Sequence, residues 1–192
     1  MKVGTDGTLL GAWGAHHCAL ENHERPLRIL DVGTGTGLIA LMMAQRFPEA
    51  LVIGLDIDAE AVSQAQENAA ASPFANRITI FQQDFSSILH SPFSILHPPF
   101  SMIVCNPPFF TQSLPCPDEK RTMARHDGTL NYRTLAIGAW TLLDEDGEMS
   151  VIVPAASPGV FVKMSSNSPR RKLYVRIIHF GIPRRKVMTK NR

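Results

Sequence analysis

The sequence of 192 residues lacks any long uncharged hydrophobic run. No stretch approaches the roughly 18 apolar residues that a membrane-spanning helix needs. The opening residues MKVGTDG also lack the apolar segment of a secretory signal. These absences argue against an integral membrane protein and against export, so we expect a cytoplasmic protein.

Cysteine is scarce, with three residues at Cys18, Cys105 and Cys116. Their number is odd and their spacing contains no CxxC pair, which disfavours both a disulfide framework and a zinc site. We therefore expect free thiols and no bound metal.

Acidic residues are missing from the end of the chain. Residues 1–96 carry a formal charge of −5 and residues 97–192 a charge of +7, and ten basic residues but no acidic one occur from Lys163 onward. Basic clusters lie at 170–172 and 184–186. Such runs are common in solvated tails, and they are also the electrostatic signature of nucleic-acid binding. Both interpretations stay open at this point.

Strand and helix patterns alternate along the chain, without internal repeats. Since 44% of the residues are hydrophobic, the chain can bury the core of one domain, which we expect to span residues 1–192. Near-continuous apolar strands separated by helices are typical of a parallel sheet covered on both faces. The sequence therefore predicts an α/β, doubly wound domain, with strands at 27–33, 50–56, 77–84, 101–106, 148–154 and 172–181 and helices at 36–47, 59–71 and 130–143.

A glycine-rich turn follows the first predicted strand in the segment DVGTGTG. Gly33, Gly35 and Gly37 stand between a strand and a helix, where glycine allows a tight turn and a close approach of a ligand. The spacing is GxGxG, whereas the dinucleotide fingerprint GxGxxG requires glycine at the position of Leu38. The turn therefore indicates a cofactor other than a dinucleotide.

Three predicted strands end in aspartate, at Asp31, Asp56 and Asp84. A carboxylate at Asp31 suits a cationic ligand, and S-adenosyl-L-methionine carries an ammonium and a sulfonium group. Asp56 follows the glycines at the spacing where an acid accepts ribose hydroxyls. Asp84, or the backbone beside it, is placed to meet an adenine amino group. Solvated strand-end carboxylates are the alternative, but three of them behind a glycine turn favour a site for S-adenosyl-L-methionine.

The segment CNPPFF at 105–110 ends the fourth predicted strand. Two prolines cannot continue a sheet ladder, so the strand stops and Asn106 lies at its carboxyl end. The side-chain oxygen of Asn106 and the carbonyl of Pro107 could each accept an N–H from an exocyclic amine and raise its nucleophilicity. Phe109 could stack on a planar base. This pattern predicts methyl transfer by positioning and electrostatics, without a covalent nucleophile.

Together, these motifs resemble class I S-adenosylmethionine-dependent methyltransferases that modify exocyclic nitrogens. The segments MKVGTDGTLLGAW (1–13), NPPFF (106–110) and ARHDGTL (124–130) resemble the tRNA1(Val) (adenine(37)-N6)-methyltransferase family, and the likeness covers nearly the whole chain. The resemblance implies a Rossmann-like fold, a tRNA partner, S-adenosyl-L-methionine as cofactor, and methylation of N6 of the adenine beside the anticodon.

The resemblance also implies the roles of individual residues. The opening segment adjoins the cofactor and starts a helix, which we expect Thr5 or Asp6 to cap. The implied catalytic residues are Asn106, Pro107, Pro108 and Phe109. The implied cofactor-binding residues are Lys2, Gly4, Thr5, Asp6, Asp31, Gly33, Gly35, Gly37, Asp56, Ile57, Asp84, Phe85 and Asn106.

Alternative functions stay open because other methyltransferases share the NPP[FY] motif. These are the N2-guanine rRNA and the N5-glutamine protein methyltransferases. The resemblance also implies further residues before the KVGTDG segment. In the family, the last antiparallel strands of the sheet come at about the position of Arg192, where this sequence stops, so we expect the sheet to lack its last strand or strands. An inactive homologue that binds the cofactor or RNA is therefore a third possibility.

Overall fold

A computed structural model describes residues 4–14, 26–88, 99–107, 132–154 and 174–180. Its strands are β1 (Arg28–Val32), β2 (Leu51–Asp56), β3 (Ile78–Gln82), β4 (Phe100–Cys105), β5 (Leu143–Pro154) and β6 (Tyr174–Phe180). Its helices are α1 (Thr5–Trp13), α2 (Leu38–Arg46), α3 (Ala59–Ala70), α4 (Phe85–Ile88) and α5 (Tyr132–Leu142), with a 3₁₀ turn at Ala75–Arg77.

The six strands form one sheet in the order β3-β2-β1-β4-β5-β6. Every described strand pair is parallel. Strands β2 and β3 are added on one side of β1, and strands β4 to β6 on the other. The switch point of the topology therefore lies between β1 and β4, and such a point opens a crevice at the carboxyl ends of the strands. The predicted doubly wound sheet is confirmed, and its crevice lies where the glycine turn and Asn106 follow β1 and β4.

Apolar side chains cover both faces of the sheet because successive residues of a strand point to opposite sides. On β1, Leu30 and Val32 pack in one cluster with α4 and α5. Ile29 packs in the other cluster, with α1, α2 and α3. Helices therefore cover both faces, as predicted, and Asp31, two residues after Ile29, lies on the face of α2.

The strand β5 begins earlier than predicted. The sequence indicates a strand from 148, whereas β5 begins at Leu143 directly after α5. The register explains the difference, because Phe100 pairs with Leu143 and Met102 pairs with Glu148. The polar segment 144–147 is therefore an irregularity within the strand. The composition of this segment, DEDG, is typical of a turn, which is why the sequence did not predict it as strand.

None of the helices in the described ranges is long and apolar enough to cross a membrane. The residues near Arg192, where the sheet is expected to lack its last strand or strands, lie outside those ranges.

Candidate active site

The register of the sheet aligns three predicted site residues at the switch point. The last residue of β1 pairs with Leu55 of β2 on one side and with the last residue of β4 on the other. The residues that follow on the three strands are Gly33, Asp56 and Asn106. Neighbouring strands are about 4.8 Å apart, so Asp56 and Asn106 are separated by about 10 Å with Gly33 between them. This row forms the floor of the crevice.

The three glycines of the turn all have positive φ angles, of 70° at Gly33, 56° at Gly35 and 82° at Gly37. L-residues with side chains rarely adopt this conformation. A β-carbon at Gly33 would meet no heavy atom within 4 Å in the part of the chain that the structure describes. At Gly37 it would lie 3.3 Å from Cβ of Ala65. The first glycine thus leaves room for a ligand, and the third allows the turn to pack on α3.

Asp56 ties the glycine turn to the start of α3. Its Oδ2 accepts the N–H of Gly35 at 2.8 Å, and its Oδ1 accepts the N–H of Asp58 at 3.1 Å. Each carboxylate oxygen can accept a further hydrogen bond, so the group can also receive ribose hydroxyls. The adjacent side chain of Ile57 is 54% exposed and offers an apolar surface beside it. A carboxylate beside an apolar surface suits a nucleoside, and the contacts of Asp56 and Ile57 with the cofactor stay predictions.

Asp31 is fully buried, at 0% exposure. Its Oδ2 accepts the hydroxyl of Thr34 at 2.7 Å and the N–H of Ala40 at 3.1 Å. Its Oδ1 is buried without a hydrogen-bond partner in the described part of the structure. Asp31 therefore supports the turn and the start of α2 from inside the fold, and its contact with a cationic ligand stays a prediction.

The carboxyl group of Asp31 has a raised pKa of about 7, against an ordinary value of 3.8. Burial is the main cause, the hydrogen bonds from Thr34 and Ala40 oppose it, and the charge of Asp56 adds to it. Burial disfavours the charged form of a carboxyl group because the interior solvates it poorly.

This raised pKa predicts a pH-dependent stability. Between about pH 4 and pH 7 the folded protein holds a proton on Asp31 that the unfolded chain has released, so the free energy of unfolding falls as the pH rises. One such group contributes a slope of at most about 1.4 kcal/mol per pH unit. Denaturant unfolding of the native protein and of Asp31→Asn across this range measures the contribution. An equal slope in both proteins would contradict it.

Two residues that support the turn were not predicted from the sequence. A β-carbon at Gly54 of β2 would lie 2.9 Å from Oγ1 of Thr34 and 2.6 Å from Cδ1 of Ile80. Gly54 therefore makes room for the Thr34 hydroxyl that binds Asp31. The second residue is Thr34 itself, whose position between Gly33 and Gly35 was a visible signal that it could support the turn. Gly54 lies in a separate strand, and its position gave no such signal.

The opening segment reaches the crevice through α1. Its N-cap is Gly4, which makes no side-chain capping bond, while Thr5 and Asp6 already lie in the first turn. The predicted cap at Thr5 or Asp6 is therefore wrong, because a residue inside the helix does not occupy the cap position. A β-carbon at Gly7 would lie 3.7 Å from Nδ2 of Asn106. The segment therefore lies beside Asn106, and its contact with the cofactor stays a prediction.

Asp84 follows β3 and caps α4, because its Oδ1 accepts the N–H of Ser86 at 2.9 Å. The side chain of Phe85 is 3% exposed and packs in the core. Any contact of Phe85 with an adenine must therefore use its backbone.

Asn106 is half-buried and Pro107 is buried directly after β4. The other predicted site residues, Lys2, Pro108 and Phe109, lie outside the described residues, as do the basic clusters at 170–172 and 184–186.

Comparison with known proteins gives the family. Residues 18–159 match the sequence model of the methyltransferase small domain. A relative from Bacteroides thetaiotaomicron, named tRNA1(Val) (adenine(37)-N6)-methyltransferase, is 48% identical over 80% of this chain and 60% of its own length. A relative of the same name from Parabacteroides distasonis is 44% identical over 96% of this chain and 74% of its own length.

A solved structure is similar in fold to this chain. The crystal structure of TrmN from Thermus thermophilus is 27% identical with a TM-score of 0.52, covering 73% of this chain and 36% of that one. This chain thus spans between about three fifths and three quarters of the length of the two curated relatives. It belongs to the methyltransferase small domain family and, within it, to the family of the tRNA1(Val) (adenine(37)-N6)-methyltransferases.

Proposed function

We propose that this chain, acting as one domain over residues 1–192, transfers a methyl group from S-adenosyl-L-methionine to N6 of an adenine in tRNA. The proposed target is adenine 37, beside the anticodon of tRNA1(Val), as in the names of its relatives. The observation that carries the proposal is the row at the switch point, where Asn106 lies one strand from Gly33 and two from Asp56.

S-adenosyl-L-methionine is the cofactor, and when bound it supplies an electrophilic methyl group on a sulfonium. We assign its ribose to Asp56, whose carboxylate faces the glycine turn. The exposed side chain of Ile57 would offer an apolar surface to the adenine. The remaining assigned contacts come from the opening segment (Lys2, Gly4, Thr5 and Asp6), from Asp31, Gly33, Gly35 and Gly37, from Asp84 and the backbone of Phe85, and from Asn106.

Asn106 orients the amine that receives the methyl group. The exocyclic nitrogen of adenine is a poor nucleophile because its lone pair is delocalised into the ring. When the side-chain oxygen of Asn106 and the carbonyl of Pro107 accept its two N–H groups, they stabilise the positive charge that develops on nitrogen. The orientation of this carbonyl is restricted, because Pro107 has a fixed φ and the following Pro108 limits the ψ angle of Pro107. One proton then leaves the methylated nitrogen for solvent.

The basic end of the chain serves the RNA in this proposal. The clusters at 170–172 and 184–186 contact phosphates, whose charge dominates affinity for nucleic acids. Phe109 stacks on the target base, which is already unpaired in the anticodon loop and costs little to extrude. With a tRNA substrate, the proposed location of the enzyme is the cytoplasm.

The test is methyl transfer from labelled S-adenosyl-L-methionine to bulk tRNA, bulk rRNA and peptide release factor. We expect label in tRNA, with N6-methyladenosine as the product in mass spectrometry of nuclease digests. Methylguanosine in rRNA, or methylglutamine in the release factor, would transfer the assignment to the corresponding alternative. Binding of the cofactor without transfer to any of the three would indicate an inactive homologue.

A further inference from the structure

Two peptide planes of the glycine turn have both of their polar atoms hydrogen-bonded. In the plane that joins Thr34 to Gly35, the carbonyl accepts the N–H of Gly37 at 2.9 Å and the N–H donates to Asp56 at 2.8 Å. In the plane that joins Thr36 to Gly37, the N–H makes that same bond to Thr34. Because a peptide is planar and trans, a bond at each end prevents it from rotating.

The carbonyl of Thr36 is bonded from a distant part of the sequence. Nδ2 of Asn68, near the end of α3, donates to it at 2.9 Å. Oδ1 of Asn68 accepts from Nε2 of Gln64, one helical turn earlier, at 3.3 Å. Gln64 thus orients the amide so that its NH₂ group faces the turn.

The same helix supports the turn at two further points. Ala65 packs against Gly37, where a β-carbon on the glycine would be only 3.3 Å away. At the start of α3, the side chain of Asp58 caps the helix by accepting the N–H of Glu60 at 2.9 Å. The backbone N–H of Asp58 donates to Asp56. Packing and hydrogen bonding therefore make α3 a brace for both the glycine turn and Asp56.

We propose that Asn68 is a positioning residue for cofactor binding, acting through the peptide that joins Thr36 to Gly37. This inference rests on the proposed function, in which the glycine turn admits the cofactor. Without the amide of Asn68, the Thr36 carbonyl loses its bond and the peptide is free to rotate. The backbone at Gly35–Gly37 then samples arrangements that do not fit the cofactor, and part of the binding free energy is spent on restoring the turn.

Gln66 supplies a matched control on the same helix. Its Nε2 donates to a backbone carbonyl at 3.1 Å, but that carbonyl belongs to Ile80 of β3 and not to the turn. The pairs Asn68→Ala with Gln66→Ala, and Asn68→Asp with Gln66→Glu, remove one amide donor each. The second pair also adds the same charge to the helix in both proteins.

We expect both Asn68 variants to bind S-adenosyl-L-methionine and S-adenosyl-L-homocysteine about tenfold more weakly by calorimetry, the effect of one lost hydrogen bond. We expect kcat at saturating cofactor to change less than threefold. The Gln66 variants should bind the cofactor with native affinity, even if their Tm falls by as much as that of the Asn68 variants.

Hydrogen exchange separates this inference from the proposed function. The amide of Gly37 should exchange about tenfold faster in Asn68→Ala than in Gln66→Ala, with or without a bound cofactor. Failure of the native protein to bind S-adenosyl-L-methionine would overturn the proposed function, while the exchange result would still decide whether Asn68 holds the turn. Native exchange at Gly37 in a folded Asn68→Ala protein would overturn the inference, as would equal loss of affinity in the two sets of variants.

Discussion

Asn106→Ala is expected to lower the rate of methyl transfer by about 100- to 1000-fold, the usual effect of losing one preorganised hydrogen-bond partner of a transition state. The bond from the target amine strengthens as charge develops on its nitrogen, so the loss should appear mainly in kcat. Affinity for S-adenosyl-L-methionine should fall much less than the rate, because Asn106 is one of many residues assigned to the cofactor. Single-turnover kinetics with tRNA, together with calorimetry of cofactor binding, measure the two quantities separately.

Substitution by aspartate sharpens this test. Asn106→Asp keeps an oxygen that can accept the amine N–H, so it should retain part of the activity that alanine loses. Asn76→Ala is a suitable control, because Asn76 is exposed in the 3₁₀ turn before β3, away from the switch point. If Asn106→Ala methylates tRNA as fast as the native protein, the amide has no role in the chemistry.

Asp56→Ala is expected to weaken the binding of S-adenosyl-L-methionine by up to about 100-fold, because the charge-assisted hydrogen bonding that it removes is worth about 1.5–3 kcal/mol in total. The substitution removes the proposed ribose acceptor and also the anchor for the N–H of Gly35. Unlike Asn106→Ala, it should act on cofactor affinity, and saturating cofactor should restore most of the turnover. Calorimetric titration of the folded variant gives the result.

Glu60→Ala provides the control for charge, since Glu60 is an exposed acid in the first turn of α3. It should bind the cofactor like the native protein. Unchanged affinity in a folded Asp56→Ala protein would remove Asp56 from the site. Binding of NAD by the native protein in place of S-adenosyl-L-methionine would contradict the interpretation of the whole glycine turn.

Local chemistry made much of the site predictable. Gly33, Gly35 and Gly37 follow a strand and all adopt positive φ, as residues without a side chain do most easily. Asp56 and Asn106 each mark the carboxyl end of a strand by their position after an apolar run. Parallel strands end at one edge of their sheet, so these residues meet wherever the strands are neighbours. The family motifs in the sequence then gave the expected chemistry.

Other features depend on packing between segments that are distant in sequence. The strand β5 includes the polar residues 144–147 because its pairing with β4 spans them. Gly54 of β2 makes room for Thr34, which follows the neighbouring strand β1, and no local pattern signals that contact. The start of α1 was also missed: the helix begins at Thr5, so its N-cap is Gly4.

The sequence by itself determined the alternation of strands and helices, the flexible positions of the turn and the identity of its strand-end acids. All of these follow from side-chain periodicity and backbone conformational freedom within a few residues. Only the tertiary structure decided which polar groups became buried supports. The pKa of Asp31 is raised because the folded chain buries its carboxyl group. Asn68 bonds to Thr36, 32 positions earlier, because α3 packs on the turn. Burial and hydrogen-bond geometry of this kind exist only once the register and the helix packing are set.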